Sequence, residues 1–338
     1  MKHWRETTEI VERVFALVSA GRRAALATVI RIEGSSYRRP GAKFLIEDDG
    51  RTLGGVSGGC LEADVREVAL RVIQTGTPQL LHYDTGVDDQ TVWGLGLGCN
   101  GSVDIFVQSA TEARTLEVLR ELGARLKSAS PVTVRTIVDG PSDVGHSMVL
   151  GPARDARTGV TTDGAHTVFT EMLQPPPPLI VCGAGDDARP LVACASEAGF
   201  AVTVVDHRQA FLAADRFPSA RRLVHLRPGN DVETLGIDPR TLVVIKTHSL
   251  AHDRDWLKAF LDSRAYYIGV LGPRARAEDM LGELNATTDA RVFAPVGLSL
   301  GADGPEQIAV SVVAELLAVV SRAQPGHLRE KGQAIHAV

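Results

Sequence analysis

A short glycine-rich segment between an apolar run and a helical run constrains the fold of this chain most strongly. Residues 179–182 form the apolar run, and Gly183, Gly185 and Ala188 follow it in the pattern G-x-G-x-x-A. Asp206 ends the next apolar run, about twenty residues further on, where an acid that binds a ribose belongs. This order of strand, glycine turn, helix and acid predicts a Rossmann-type fold.

Strand-like and helix-like segments alternate from there towards the C-terminus, which predicts a doubly wound parallel sheet. Helical patterns lie between most of the strands, and a final helix begins at Pro305, a residue favoured in the first turn. The predicted strands span residues 179–182, 201–205, 222–226, 242–247, 266–271 and 292–294.

Two acidic residues complicate the prediction that this fold binds a dinucleotide. Asp186 and Asp187 stand at the predicted helix N-terminus, where a pyrophosphate would dock. Their carboxylates can cap the helix, but they would repel phosphate, so binding of NAD(P) stays an open alternative. The residues expected in a nucleotide-type cleft are Gly183, Gly185, Ala188, Asp206, Arg208 and His248.

Four consecutive prolines divide the chain into two parts of different character. Such a run favours a stiff, extended linker, and a length of 338 residues predicts about two domains. We therefore expect an N-terminal domain over residues 1–174, a linker over residues 175–178 and a Rossmann-like domain over residues 179–338.

The pattern before the linker predicts an α+β domain with its functional loops along one edge. Asp49-Gly50 between two strand-like runs is a strong hairpin signal. Predicted helices span residues 6–20, 61–73 and 110–127. Predicted strands span residues 24–32, 43–47, 51–56, 79–83, 102–108, 132–138 and 167–173. The expected fold class is α/β: an N-terminal α+β domain followed by a Rossmann-like doubly wound parallel sheet.

Two glycine-rich loops of the N-terminal domain each contain a cysteine. Residues 54–62 have the sequence GGVSGGCLE, and residues 94–101 have the sequence GLGLGCNG, with Cys99 near its end. Cys60 falls just before a predicted helix, whose positive dipole end favours a thiolate. Backbone N–H groups in such turns can form a concavity for anions. Cys60 is therefore a candidate thiolate; the alternative is a tight turn with a small buried cysteine.

A third loop, residues 33–43, has the sequence EGSSYRRPGAK and contains several groups that can donate hydrogen bonds to an anion. Serine hydroxyls, backbone N–H groups and a forked guanidinium together suit a phosphate or a carboxylate. The alternative is a solvated turn. The candidate residues are Ser35, Ser36, Arg38 and Gly41.

Composition and charge exclude several classes of function. The net charge of −5 and the lack of a basic run give no electrostatic reason to expect nucleic acid or a membrane surface as a partner. The charged N-terminal segment is unlike a signal peptide, and no apolar stretch approaches the ~20 residues that span a bilayer. Four cysteines in 338 residues are no disulfide framework. We expect a cytoplasmic protein with reduced thiols.

Other histidines and cysteines could also act as ligands. His248, His252 and Asp253 follow a predicted strand, and a helix there would bring the histidines together as metal ligands. Two histidines and one acid are a small ligand set, so a polar cluster at the sheet edge is the preferred interpretation. Cys182 and Cys194 lie in a predicted strand and an apolar helix and are expected in the core.

Taken together, these motifs resemble those of the XdhC/CoxI family, and the resemblance covers nearly the whole chain. In the first domain it rests on GSSYRRPGAK, GGVSGGCLE and GLGLGCNG. In the second it rests on VCGAGDDA, VVDHR, THSLAHD, GVLGPR and APVGLSLGADGPEQIAVSVVAEL. Tyr37 stands where the family usually has proline, and Asn100 stands where glycine is usual; Asp186 also differs from the commoner family residue.

The resemblance implies a maturation factor for molybdenum hydroxylases such as xanthine dehydrogenase and carbon monoxide dehydrogenase. Such a factor binds molybdenum cofactor, supports exchange of an oxo for a sulfido ligand and passes the cofactor to the apo-enzyme, with no turnover of its own. The implied partner is the apo-hydroxylase; a cysteine desulfurase as second partner and a homodimer stay open.

The resemblance also assigns roles to residues of the loops. Cys60 would contact the molybdenum as a soft thiolate ligand, and Glu62 would accept hydrogen bonds from the pterin amino groups. Glycine N–H groups and Arg38 would hold the terminal phosphate. The implied cofactor-binding residues are Ser35, Ser36, Arg38, Gly41, Gly58, Gly59, Cys60, Glu62 and Cys99.

An NAD(P)-dependent oxidoreductase is the alternative function. It would use the C-terminal Rossmann domain, with Cys60 as its catalytic thiol. The sequence lacks an evident acid/base pair near that cleft, although His248 could serve.

Overall fold

The computed structural model describes residues 2–34, 38–84, 101–152, 157–285 and 287–330. The chain divides into two compact units, Met1–Pro175 and Pro176–Val338. The division falls inside the run of four prolines, and each unit is described on its own below.

The N-terminal unit contains two antiparallel sheets and three helices among its described residues. The helices are α1 (Lys2–Ser19), α2 (Glu62–Thr75) and α3 (Ala113–Lys127). The strands are β1 (Ala24–Gly34), β2 (Lys43–Glu47), β3 (Thr52–Gly54), β4 (Gln79–Asp84), β5 (Gly101–Ser109), β6 (Val132–Asp139), β7 (Ser147–Leu150), β8 (Gly159–Asp163) and β9 (His166–Leu173). The first sheet has the order β3-β2-β1-β5-β4, and the second has the order β7-β6-β9-β8.

The first sheet is buried on both faces, because successive residues of a strand point to opposite sides. Ala25 and Val29 of β1 belong to the core beneath α2, whereas Ala24 and Leu26 belong to the core shared with α1 and α3. Strand β2 is buried along its whole length for the same reason. This rigid sheet supports the loops that follow β1 and β3.

The hairpin predicted at Asp49-Gly50 is present and leads the chain to the cysteine loop. Strands β2 and β3 pair antiparallel, with Phe44 opposite Gly54. Gly50 has a positive φ of 82°, and its N–H donates to the carbonyl of Glu47 at 2.9 Å. Gly54 ends β3 close to the backbone of β2: a Cβ there would lie 2.3 Å from the carbonyl oxygen of Lys43.

The C-terminal unit is a doubly wound parallel sheet, as predicted. Its strands are β10 (Pro178–Cys182), β11 (Ala201–Asp206), β12 (Arg222–His225), β13 (Leu242–Ile245), β14 (Tyr267–Val270) and β15 (Val292–Phe293). Its α-helices are α4 (Ala188–Glu197), α5 (Leu250–Leu261), α6 (Arg274–Glu283) and α7 (Pro305–Ser321). The order β12-β11-β10-β13-β14-β15 is that of the Rossmann fold.

Helices cover both faces of this sheet. One core contains residues of α4 and α7, such as Leu191 and Val312, against β10 and β13. The other contains Trp256 and Phe260 of α5 and Met280 of α6. The strand order reverses between β10 and β13, so a crevice opens at their carboxyl ends.

The predicted element boundaries are off by a few residues. Helix α3 begins at Ala113 rather than at residue 110, because the N–H of Ala110 still pairs with Ala24 at the end of β5. Residues 139–164, expected as hairpins and loops, include strands β7 and β8. Within the described ranges, no helix combines the length and apolar character needed to cross a membrane.

We propose that the boundary at the prolines separates two independently folding domains. Residues 179–338, which keep all of β10 but Pro178, are expected to fold alone, with helical circular dichroism and one cooperative urea transition. A fragment of residues 183–338 is the control, because it lacks the central strand and is expected not to fold. A 179–338 fragment that is insoluble or lacks a cooperative transition would contradict the boundary.

Candidate functional site

The loop between β3 and α2 is organised by the hydroxyl of Ser57. Its Oγ accepts hydrogen bonds from the backbone N–H groups of Gly59, Cys60 and Leu61, each at 3.1 Å. The same hydroxyl donates to Glu62 Oε2. One serine therefore satisfies three of the donors that precede the first turn of α2.

Glu62 closes the loop from the other side. Its Oε1 accepts the N–H groups of Val56 at 3.1 Å and Ser57 at 2.8 Å. Burial would raise the pKa of Glu62, but the hydrogen bonds from Ser57 and Val56 outweigh it and hold the pKa below its usual value. Glu62 is thus an ionised carboxylate that fixes the loop, rather than one free to bind a ligand.

Cys60 lies at the exposed tip of this loop. The loop is anchored at both ends, since Val56 and Leu61 are buried in the core beneath α2. Between them Cys60 is exposed. No described heavy atom lies within 4 Å of where a Cβ on Gly58 or Gly59 would be, so the space around the thiol is open. The alternative of a buried structural cysteine is therefore wrong for this residue.

The glycine N–H groups are less available to an anion than expected. The N–H groups of Gly59 and Cys60 already donate to Ser57, and that of Gly55 donates to the carbonyl of Lys43 at 2.9 Å. In this arrangement the loop presents a thiol, and most of its backbone donors are used internally.

Arg38 also has an internal partner. Its guanidinium donates to Glu6 Oε1 of α1, and both side chains are largely buried. Burial, the largest effect, raises the pKa of Glu6 in spite of Arg38. Glu6 Oε2 and Arg38 Nε have no hydrogen-bond partner among the described residues. Glu6 Oε1 would lie 3.1 Å from a Cβ on Gly54, so this pair connects the arginine loop to the end of β3.

A second buried ion pair lies beside Gly41. Lys43 donates to Glu171 Oε1 on β9 and, at 3.1 Å, to the carbonyl of Gly41. Gly41 has a φ of 95°, and a Cβ there would lie 2.8 Å from His3 Nδ1 and 3.1 Å from Glu171 Oε1. Gly41 is therefore required for close packing within this polar cluster.

Three predicted binding residues, Ser35, Ser36 and Cys99, lie outside the described residues. Among the others, Gly58, Gly59, Cys60 and Glu62 share one loop, whereas Arg38 and Gly41 lie on the preceding loop. Their assignment to cofactor binding stays a prediction.

In the C-terminal unit, Asp206 is fully engaged inside the protein. Its Oδ2 accepts the N–H of Ala184 at 2.7 Å, and Arg208 donates to both oxygens through Nε and Nη2, each at 2.9 Å. Burial would raise the pKa of Asp206, but these donors lower it to about 2. The carboxylate expected on a ribose thus ties the glycine turn to β11.

Asp186 and Asp187 point to different partners, and Asp187 forms no side-chain cap on α4. Asp186 is 86% exposed and pairs with Arg216 at 2.9 Å. Asp187 Oδ2 accepts Lys246 Nζ at 2.6 Å and His248 Nε2 at 2.7 Å. Asp187, rather than Asp186, is therefore the acid that lies in the crevice.

The residues considered as metal ligands are held apart. His248 has a φ of 62° and lies before α5, bound to Asp187. The ring of His252 contacts that of His207, with centroids 4.5 Å apart. Asp253 is buried and pairs with Arg276 and with Thr247. The described residues contain no cluster of three candidate metal ligands.

The other two described cysteines differ from Cys60. Cys182 is fully buried, and Cys194 is partly buried against the same unit's core. Burial raises the pKa of both thiols, so neither is poised as a thiolate.

Sequence reasoning missed Ser57 and Lys246. A serine ahead of a helix start is a recognised capping signal, and it could have identified Ser57. Lys246 ends a buried-type strand, and a charged residue at that place could have been noticed as a crevice residue. The pairs of Arg38 with Glu6 and Lys43 with Glu171 had no local signal.

Ser57→Ala tests the arrangement of the cysteine loop. The change removes the acceptor of three N–H groups, so we expect the N-terminal unit to lose about 1–2 kcal/mol of unfolding free energy. Hydrogen exchange of the Cys60 and Leu61 amides should become faster. Ser142→Ala, at an exposed loop position, is the matched control and should change stability by less than about 0.5 kcal/mol. Unchanged exchange in Ser57→Ala would contradict the role of this hydroxyl.

Known proteins match both units of the chain. The model described as XdhC and CoxI family matches residues 17–84, and the model described as XdhC Rossmann domain matches residues 179–316. A crystal structure described as a xanthine dehydrogenase from Bacillus halodurans superposes with a TM-score of 0.79 and is 29% identical. The match covers 95% of this chain and 98% of that one.

Two relatives are similar over most of their length. A protein of Bacillus subtilis (strain 168), named as a probable component of xanthine dehydrogenase, is 33% identical over 317 residues, which are 89% of this chain and 94% of the relative. The molybdenum cofactor insertion chaperone PaoD of Escherichia coli (strain K12) is 27% identical over 90% of this chain and 86% of its own. The chain therefore belongs to the XdhC and CoxI family.

Proposed function

We propose that this protein binds molybdenum cofactor and supports its sulfuration and insertion into a molybdenum hydroxylase of the xanthine or carbon monoxide dehydrogenase type. The relative PaoD, an insertion chaperone for this cofactor by name, aligns with 90% of the chain, and this similarity is the observation that favours the function most. The exposed thiol of Cys60 supplies a chemical group suited to the task.

Cys60 is proposed as the contact to the metal or to the sulfur being transferred. Thiolates are soft ligands that suit molybdenum and sulfur chemistry. The thiol lies at the tip of a loop whose backbone is fixed by Ser57 and Glu62, so its position is set before cargo arrives. A ligand held in place in this way loses less conformational entropy on binding.

The other loop residues are proposed to act in two ways. Glu62 acts by positioning Cys60, since both of its oxygens are used within the loop. Arg38 would reach a phosphate only by exchanging its partner Glu6, and the raised pKa of that glutamate shows what its burial costs. Ser35, Ser36, Gly41, Gly58, Gly59 and Cys99 remain candidates for the pterin and its phosphate.

The proposed partners follow from the cargo. An apo-hydroxylase receives the cofactor, and a cysteine desulfurase is proposed as the source of sulfur. A homodimer and a cytoplasmic location complete the proposal. The chain is proposed to release its cargo unchanged apart from the exchanged ligand, without turnover of its own.

A dinucleotide-dependent oxidoreductase is not proposed. Asp187 places a carboxylate beside Gly185, at the position of the fingerprint glycine that admits a pyrophosphate. Asp206 is bound to Ala184 and Arg208 rather than free for a ribose.

Cys60→Ser tests the proposal. The hydroxyl keeps the size but removes the soft ligand, so we expect molybdenum content per purified chain to fall severalfold, with an unchanged circular dichroism spectrum. The partner hydroxylase should accumulate without its sulfido ligand. Cys194→Ser is the control, since it replaces a partly buried thiol of the other unit and should keep its cargo. Full cargo and full support of the partner by Cys60→Ser would reject the role of this thiol.

A further inference from the structure

The crevice of the C-terminal unit contains a cavity of about 560 Å³. It lies where the carboxyl ends of β10, β13 and β14 meet the N-terminal turns of α4 and α7. Its walls are mostly apolar and include Leu191, Val244, Leu271, Ile308 and Ala309. This volume is in the range that holds a small organic ligand.

The groups that would hold a dinucleotide are already used by the protein itself. A Cβ on Gly185 would lie 2.6 Å from Asp187 Oδ1, so the space that this glycine opens is occupied by the chain's own carboxylate. Asp206 is closed by Arg208, and that guanidinium stacks on Phe211 at 3.9 Å. What remains open is the side of the crevice along β13 and β14.

The open side has one polar corner, formed by Asp187, Lys246 and His248. The Lys246 side chain is only 3% exposed, yet among the described residues its Nζ donates to Asp187 Oδ2 alone. An ammonium has three donors, so two are left without a partner inside a nearly closed site. A buried charged donor without partners is costly unless a ligand or water completes it.

Asp187 supplies an acceptor beside those donors. Burial would raise its pKa, but hydrogen bonds from Lys246 and His248 outweigh it and hold the pKa below its usual value. Oδ2 takes both bonds, and Oδ1 accepts none from a described residue. The corner therefore offers N–H donors and a carboxylate acceptor next to each other, at the end of an apolar slot.

We propose that this cavity binds a neutral planar heterocycle with a lactam group, the adjacent C=O and N–H of an oxopurine or pterin ring. The lactam oxygen accepts from Lys246, and the lactam N–H donates to Asp187 Oδ1. The ring lies between aliphatic walls such as Leu271 and Ile308. This site is separate from the Cys60 loop and does not depend on the proposed function.

Charge disfavours the other classes of ligand. Asp187 balances the charge of Lys246, so a phosphate or carboxylate ligand would meet a carboxylate already in place. A cationic ligand would meet the ammonium. A neutral ring with paired donor and acceptor avoids both penalties and buries its faces against apolar surface.

Titration of the full chain with three small heterocycles and NAD⁺ tests this inference. Hypoxanthine and 6-hydroxymethylpterin both contain the lactam, whereas adenine presents donor and acceptor in the reverse order. We expect saturable binding of one or both lactams in isothermal calorimetry, with adenine at least about tenfold weaker. The lactam that binds more tightly identifies the source, a purine or a pterin.

Two variants and a control locate the binding. Lys246→Met should weaken lactam binding about tenfold or more, and Lys258→Met, at an exposed position of α5, should leave it unchanged. Ile308→Trp fills the cavity from α7 without touching the polar corner and should abolish binding; it decides the matter if Lys246→Met does not fold.

Four results would overturn the inference: no binding of either lactam, equal binding of adenine, tighter binding of NAD⁺, or full lactam affinity in the folded variants. None of these results bears on the molybdenum content that depends on Cys60, so the two proposals fail separately.

Discussion

The hydroxyl of Ser57 is the single acceptor on which the geometry of the cysteine loop depends. Three backbone N–H groups converge on it, and Glu62 receives its proton while accepting two further N–H groups. Without these bonds, a segment with glycines at 54, 55, 58 and 59 would lose a large conformational entropy to hold one shape. With them, the thiol of Cys60 is exposed but fixed. A flexible glycine loop thereby becomes a defined platform for one reactive side chain.

The same principle recurs in the crevice of the Rossmann unit. There the chain uses its own carboxylates, Asp187 and Asp206, at the two places where a dinucleotide would place its phosphate and its ribose. The fold is retained while the ligand site is reduced to one side of the crevice. Fold and ligand are thus separable, which is why the topology alone does not identify the function.

The sequence predicted those features that depend on local chemistry. The glycine turn after β10, the hairpin at Asp49-Gly50 and the helix after Cys60 were predicted because turn residues and apolar periodicity act over a few positions. The exposure of Cys60 followed from its place between two glycines and a helix start. The Rossmann order followed from regular alternation of strands and helices.

The features that the sequence did not predict depend on residues far apart in the chain. Arg38 was expected to meet a phosphate, but Glu6, 32 positions away, pairs with it. Lys43 and Glu171 are separated by 128 positions. Asp186 and Asp187 are neighbours with similar local signals, and only tertiary packing sends one to Arg216 and the other to Lys246. No periodicity or spacing rule encodes such pairings.

The function proposed for the cysteine loop requires the fixed thiol of Cys60 to bind the metal of the cargo. X-ray absorption at the molybdenum K-edge, on protein loaded in vitro with excess cofactor and washed, observes that bond itself. We expect one more sulfur neighbour of molybdenum in the unaltered protein than in Cys60→Ser loaded in the same way. Identical molybdenum–sulfur scattering in the two samples would show that the thiol does not bind the metal.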